Sequence, residues 1–144
     1  MKIRTLLSAC LLAAGLLFTV GANGAEKQPD TPTAVAKQFL NSLLKLDMDA
    51  CVALSHGKMK DDAAEIGKTV KPLREAAAKG DENSVLMLNT MLEEAAKTKY
   101  EIKNEKIDGD AAVVEIVSTT DGKTKTEKML LEKIDGKWKV TDLK

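Results

Sequence analysis

The sequence predicts an α+β fold with its helices first and an antiparallel sheet after them. Three observations predict it. Apolar residues recur about every four positions from Val35 to Ala95; from Tyr100 the period drops to two; and Asp-Gly occurs three times, at Asp108-Gly109, Asp121-Gly122 and Asp135-Gly136, each between strand-like runs.

Residues 1–25 place Lys2 and Arg4 ahead of an apolar run from Leu6 to Val20 and then small residues, the pattern of a secretory signal peptide. Val20-x-Ala22 and Ala22-x-Gly24 satisfy the small-residue rule for cleavage, and a cut after Ala25 is compatible if Asn23 is tolerated. The cleavage region is therefore Ala22, Gly24 and Ala25. The run is shorter than the ~20 residues a bilayer-spanning helix needs, which argues against a membrane span. Leu7-Ser8-Ala9-Cys10 has the form of a bacterial lipobox, which would anchor a lipoprotein through Cys10, but most of the apolar run follows Cys10 and would be left on the mature chain. The expected location is periplasmic or secreted.

Cutting 25 residues from 144 leaves 119, one domain's worth, with residues 26–30 as a short tether and 31–144 as the folded unit. Loss of Lys2 and Arg4 leaves 20 basic against 22 acidic side chains, a net charge of about −2, so nucleic acid is not an expected partner. With Cys10 removed Cys51 stands alone, and no intramolecular disulfide can form. Cys51 lies in a helical pattern beside Val52 and Leu54, where a buried thiol and a bridge between chains are the two readings.

Thr31-Pro32 reads as an N-cap followed by proline at the first helical position, opening a helix to about Leu46 with Val35, Phe39 and Leu43 on its apolar stripe. Asp47 caps a shorter helix from Met48 to Ser55. After a loop at His56-Gly57-Lys58, Asp61 and Asp62 are expected to cap a third helix with Ile66, Val70, Leu73 and Ala77 inward, kinked or broken near Thr69 to Lys71 by Pro72. Gly80 ends it, and a fourth helix from about Asn83 to Lys97 aligns Val85, Leu88, Leu92 and Ala95. Four strands follow. Asp-Gly favours two-residue type I′ hairpins because both central residues need positive φ, so the strands form a meander with the helices laid across its apolar face.

"TPTAVAKQFLNSLLKLDMDACVALS" at the front and "KYEIKNEKIDGDAAVVEIV" with "MLLEKIDGKWKV" at the back resemble the exported bacterial domains of unknown function sometimes labelled lumazine-binding-like, within the nuclear-transport-factor-2-like (SnoaL-like, cystatin-like) superfamily. The resemblance covers about residues 31–142; the helical segment from Asp61 to Lys97 is longer and richer in Ala than the pattern. It implies a curved four-stranded sheet wrapped around helices as a cone with a pocket at its open end. Relatives in the superfamily use that pocket for isomerase or dehydratase chemistry, for binding, or for dimerisation.

Proton-transfer chemistry in such a cone needs a carboxylate or His base opposed by a hydrogen-bond donor. His56 and Tyr100 are the one His and the one Tyr. His56 is the best single acid/base candidate, but with no partner in the sequence to orient it as a base, the plainer reading is a solvated loop residue. Tyr100 and Trp138 could face a ligand or serve as core aromatics, and Met87 and Met91 could line an adaptable pocket or fill the core. No catalytic set is assigned and no cofactor is implied. Asp108-Gly109-Asp110 lacks the later ligands of a calcium loop, and no His/Cys cluster suits zinc. Two classes of function follow: a non-enzymatic domain that takes a small apolar ligand or a protein partner, or an isomerase or dehydratase with His56 or a carboxylate as base. A homodimeric scaffold joined through the sheet is a third.

Overall fold

The computed structural model describes residues 30–144. The expected signal peptide, Cys10, the expected cleavage region and most of the expected tether lie outside the described residues. Among the described residues four helices precede one four-stranded sheet. These are α1 (Pro32–Leu44), α2 (Met48–Leu54), α3 (Gly57–Ala78) and α4 (Glu82–Ala96), then β1 (Thr98–Asp108), β2 (Ala111–Thr120), β3 (Lys123–Ile134) and β4 (Lys137–Leu143). Sheet order is β1-β2-β3-β4 and every pairing is antiparallel, the meander that the turn residues predict.

Side chains that accept orphan N–H groups start three of the helices. Thr31 Oγ1 accepts from Ala34 N at 3.2 Å, Asp47 Oδ1 from Ala50 N at 3.1 Å, and Asp81 Oδ2 from Ser84 N at 2.8 Å. α3 departs from expectation at both points where the sequence seemed clearest. It begins at Gly57, directly after His56, so Asp61 and Asp62 sit inside it, and Asp62 pairs with Lys58 one turn earlier at 3.0 Å. Nor does Pro72 end it: Pro72 and Lys68 are both exposed, so the Lys68 carbonyl that loses its N–H partner faces water and the helix runs on. The inward residues are Ala63 and Val70, while Ile66 is 45 % exposed.

Two turns follow the expected chemistry, with positive φ at Asp121 and Gly122 and again at Asp135 and Gly136. The first differs. Asp108 pairs with Ala111, so its loop residues are Gly109 and Asp110, and positive φ falls on Gly109 alone.

One face of the sheet carries Val114 and Ile116 from β2, Met129 and Leu131 from β3, and Trp138 and Val140 from β4, all buried. Against it lie Val35, Phe39 and Leu40 of α1 and Cys51 and Leu54 of α2, which complete the core. Cys51 is fully buried and free, its Sγ 3.9 Å from the Phe39 carbonyl oxygen. The β4 edge is covered: Ser55 bridges Val140 in parallel, the His56 N–H donates to Val140 O at 2.9 Å, and Lys139 Nζ donates to the Ala53 carbonyl. The β1 edge is bordered by alternating charges, which discourage edge-to-edge pairing. Among the described residues no helix is long and apolar enough to cross a membrane.

Candidate functional site

A groove of about 600 Å³ separates α1 from β1. Helical periodicity supplies one wall, since Thr33, Lys37, Leu40, Asn41 and Leu44 share a face of α1. Tyr100 and Ile102 form the facing wall. Leu40, Leu44, Ile102 and the Tyr100 ring make its apolar surfaces, and polar groups stand around them.

The polar end depends on a β-bulge. Ile102 pairs with Ile116 but Asn104 pairs with Glu115, so the extra residue, Lys103, shifts the alternation by one. Glu105 then pairs with Val114, whose side chain is fully buried, and therefore turns toward α1. Its Oε2 accepts from Thr33 N at 2.7 Å and Thr33 Oγ1 at 2.6 Å, closing the first turn of a helix 72 residues earlier in the chain. On the other face Asn104 Nδ2 donates to Glu115 Oε1 at 3.2 Å. The sequence holds only a trace of the bulge: Ile107 follows Ile102 at an odd step, and it is the register with buried Ala112, not its own burial, that puts it on the same face, since Ile107 is 51 % exposed.

At the other end Tyr100 pairs across β2 with Ser118, whose Oγ donates to Glu127 Oε2 at 3.1 Å, and Lys125 Nζ pairs with Glu127 Oε1 at 2.7 Å. Burial, and then the Glu127 carboxylate, hold the Tyr100 phenol above its ordinary value, so it is a protonated donor at neutral pH. Glu127 is a member of this polar row that sequence reasoning missed, because its place follows from the β2–β3 register. The two carboxylates on the groove are both engaged, Glu105 by Thr33 and Glu101 by Lys103.

Of the five residues singled out from the sequence, Tyr100 lines the groove. His56 is exposed at the N-terminus of α3 and makes no side-chain capping bond there. Met87 is 51 % exposed on α4, whereas Met91 is half-buried against the core. Trp138 is buried in that core, with the Lys133 ammonium 5.3 Å from its ring centroid. Among the described residues no group of three or more His, Cys, Asp or Glu could hold a metal ion.

The family model of a domain of unknown function, DUF4878, matches residues 22–141. The chain belongs to the DUF4878 family. No curated protein matches its sequence. This DUF4878 chain is similar in fold to a SEC-C motif containing protein from Rhodopseudomonas palustris, at a TM-score of 0.52 and 11 % identity over 82 % of this chain and 80 % of that one. It is also similar to a putative NTF2-like transpeptidase from Campylobacter jejuni, with TM-score 0.45 and 17 % identity over 78 % of this chain and 98 % of that one. An NTF-2 like protein of unknown function from Shewanella oneidensis has TM-score 0.44 and 18 % identity, over 76 % and 95 %.

Proposed function

We propose that this chain is an exported binding domain that holds a small, largely apolar ligand between α1 and β1. The observation that carries the reading is the groove itself. Its volume falls within the range of small-molecule sites, and it sets an apolar surface of Leu40, Leu44 and Ile102 beside the half-buried phenol of Tyr100. Export rests on the sequence of residues 1–25. Binding is favoured over turnover because His56 stands outside the groove and the carboxylates on its walls are already engaged. An isomerase or dehydratase would need one of those carboxylates released as base.

Native mass spectrometry of the protein expressed with its own N-terminal segment and recovered from the periplasm tests the reading. The expected result is a chain shortened by 22 to 25 residues that carries a discrete added mass, and the Leu44→Glu variant, with a charge placed on the groove wall, arrives without it. A full-length chain retained in the cytoplasm overturns export. A processed chain with no adduct, and no saturable binding of the apolar dye anilinonaphthalene sulfonate, overturns the ligand site.

The outer sheet face supports a second reading, a protein partner or second copy. Val113 and Leu130 are register neighbours there, and Val117 lies four residues further along β2 on the same face, all three half-buried. Sedimentation of the wild type and a Val113→Lys variant separates the two readings, since a sheet-to-sheet dimer dissociates on substitution and a monomer is unaffected.

A further inference from the structure

A larger cavity, about 880 Å³, lies between the α1–α2 turn and α3 and shares no lining residue with the α1–β1 groove. Two contacts fix its direction. A Cβ built on Gly67 would stand 3.3 Å from Met48 Cβ, and Arg74 Nη2 donates to the Lys45 carbonyl oxygen at 2.5 Å. α2 and α3 are antiparallel, so the trough runs from Val52 and Ala63 at one end to Lys45 and Arg74 at the other. Leu46, Met48 and Val70 are the buried apolar residues along its floor. Leu46 takes φ of +54°, a left-handed conformation that ordinarily selects glycine, and nonetheless carries a full side chain into that floor.

The charges on the rim are unevenly placed. Lys45, Lys71 and Arg74 gather at one end, facing the carboxylates of Asp47 and Glu75. Asp47 Oδ1 already accepts the Ala50 N–H, and Arg74 keeps further guanidinium donors after its bond to Lys45 O. Among the described residues neither the Lys45 nor the Lys71 ammonium has an ion-pair partner. Of the other charged residues on the rim, Lys68 pairs with Glu65 at 2.6 Å, and Asp49 stands on α2 away from the Lys45 end. An apolar trough with an excess of cations at one end matches an amphipathic anion lying lengthwise.

We propose that this trough binds a long-chain carboxylate, its alkyl chain along Val52, Met48 and Leu46 and its head group between Lys45 and Lys71. From Ala63 to Arg74 the helix rises ~16 Å. An extended alkyl zigzag advances about 1.3 Å per bond, so twelve carbons cover ~14 Å, from the Ala63 end to the level of Lys71, which selects dodecanoate as the probe. The inference stands independently of the α1–β1 groove, because the two cavities are built from different residues.

The test is an amide NMR titration of the mature protein with dodecanoate below its micelle concentration, repeated with neutral dodecanol. Saturable shifts at Ala64, Gly67 and Val70 are expected. Lys71→Glu should weaken dodecanoate about fivefold, the upper range for one exposed charge pair, and leave dodecanol unchanged. Ala64→Trp, at an exposed position on the trough wall, should abolish both. Shifts confined to Leu40, Tyr100 and Ile102 overturn the proposal by placing the chain in the α1–β1 groove, and absence of saturable binding overturns it outright. Equal dodecanoate affinity in wild type and Lys71→Glu also overturns it, and that comparison holds even if Ala64→Trp fails to fold.

Discussion

Raising the pH should destabilise this protein through one thiol. Cys51 is fully buried, and burial, followed by the Asp47 carboxylate, pushes its thiol from an ordinary value of 9.0 up to about 12. Between those values the unfolded chain has lost the proton and the folded chain keeps it. Stability is therefore fully present below pH 9 and falls as pH rises toward 12, by at most about 1.4 kcal/mol per pH unit for one group. Allowing for partial hydration of the thiolate, the loss should reach about 2 kcal/mol by pH 11. Lysines and Tyr100 titrate nearby, so the quantity to measure is the difference between wild type and Cys51→Ala in urea unfolding at half-unit steps from pH 7 to 11. The variant carries a pH-independent packing loss, and above pH 9 the two curves should converge. Parallel curves would refute the argument, as would rapid labelling of the native thiol by a disulfide reagent at pH 8, where labelling should instead wait for unfolding. The same burial predicts a single-chain band on non-reducing gels, with no bridge between chains.

Other outcomes follow from single contacts. Pro72→Ala restores an N–H to α3 and should raise stability by about 1–3 kcal/mol in chemical denaturation, with a matching rise in Tm. Gly136 holds φ of +76° in a tight hairpin, so Gly136→Ala should cost about 1 kcal/mol, where the same change at an unstrained loop glycine would stabilise. Glu105→Ala removes both acceptor contacts to Thr33 and should cost about 1–2 kcal/mol, with amide exchange accelerated in the first turn of α1 rather than across the sheet. Ile116→Ala opens the centre of the core, where Ile116 is 1 % exposed, and should cost about 2–5 kcal/mol by urea unfolding.

Much of the fold was legible because local chemistry and global packing agree. Thr31-Pro32, Asp47 and the change of period near Tyr100 are signals that act within a few residues, and the chain follows them. α3 was misread where a stronger pattern competed with a weaker one. Asp61 and Asp62 look like caps, yet they serve as inner helical residues. Ile66 looks like a core residue, yet α3 turns Ala63 and Val70 inward and sets Gly67 against Met48, which leaves Ile66 45 % exposed. The groove was the least legible part, because its walls come from α1 and β1, and the contact that ties them, Thr33 to Glu105, spans 72 residues. The resemblance implied a pocket, but which side chains line it depends on a bulge that shifts Glu105 to the helix side.

The distribution of buried residues explains why both cavities lie where they do. α1, α2 and the inner sheet face supply nearly all of the buried apolar side chains; α3 supplies Ala63 and Val70, and α4 has no buried residue. Folding free energy is thus concentrated around Phe39, Ile116, Leu131 and Trp138, a close-packed centre in which a ligand would have to displace side chains. The cavities open at its margins, where α1 meets a bulged edge strand and where α2 meets the long, sparsely buried α3. α4 lies beyond that centre, its apolar face only half-covered and Leu86 69 % exposed, so the α3–α4 hairpin should open at lower free energy than the sheet. A cavity walled by α3 can then change shape while α1 and the sheet stay intact, whereas the α1–β1 groove cannot widen without disturbing the core itself. For that reason the two sites should differ in selectivity: the trough on α3 should tolerate alkyl chains of varied length, and the groove beside Tyr100 should discriminate sharply on shape.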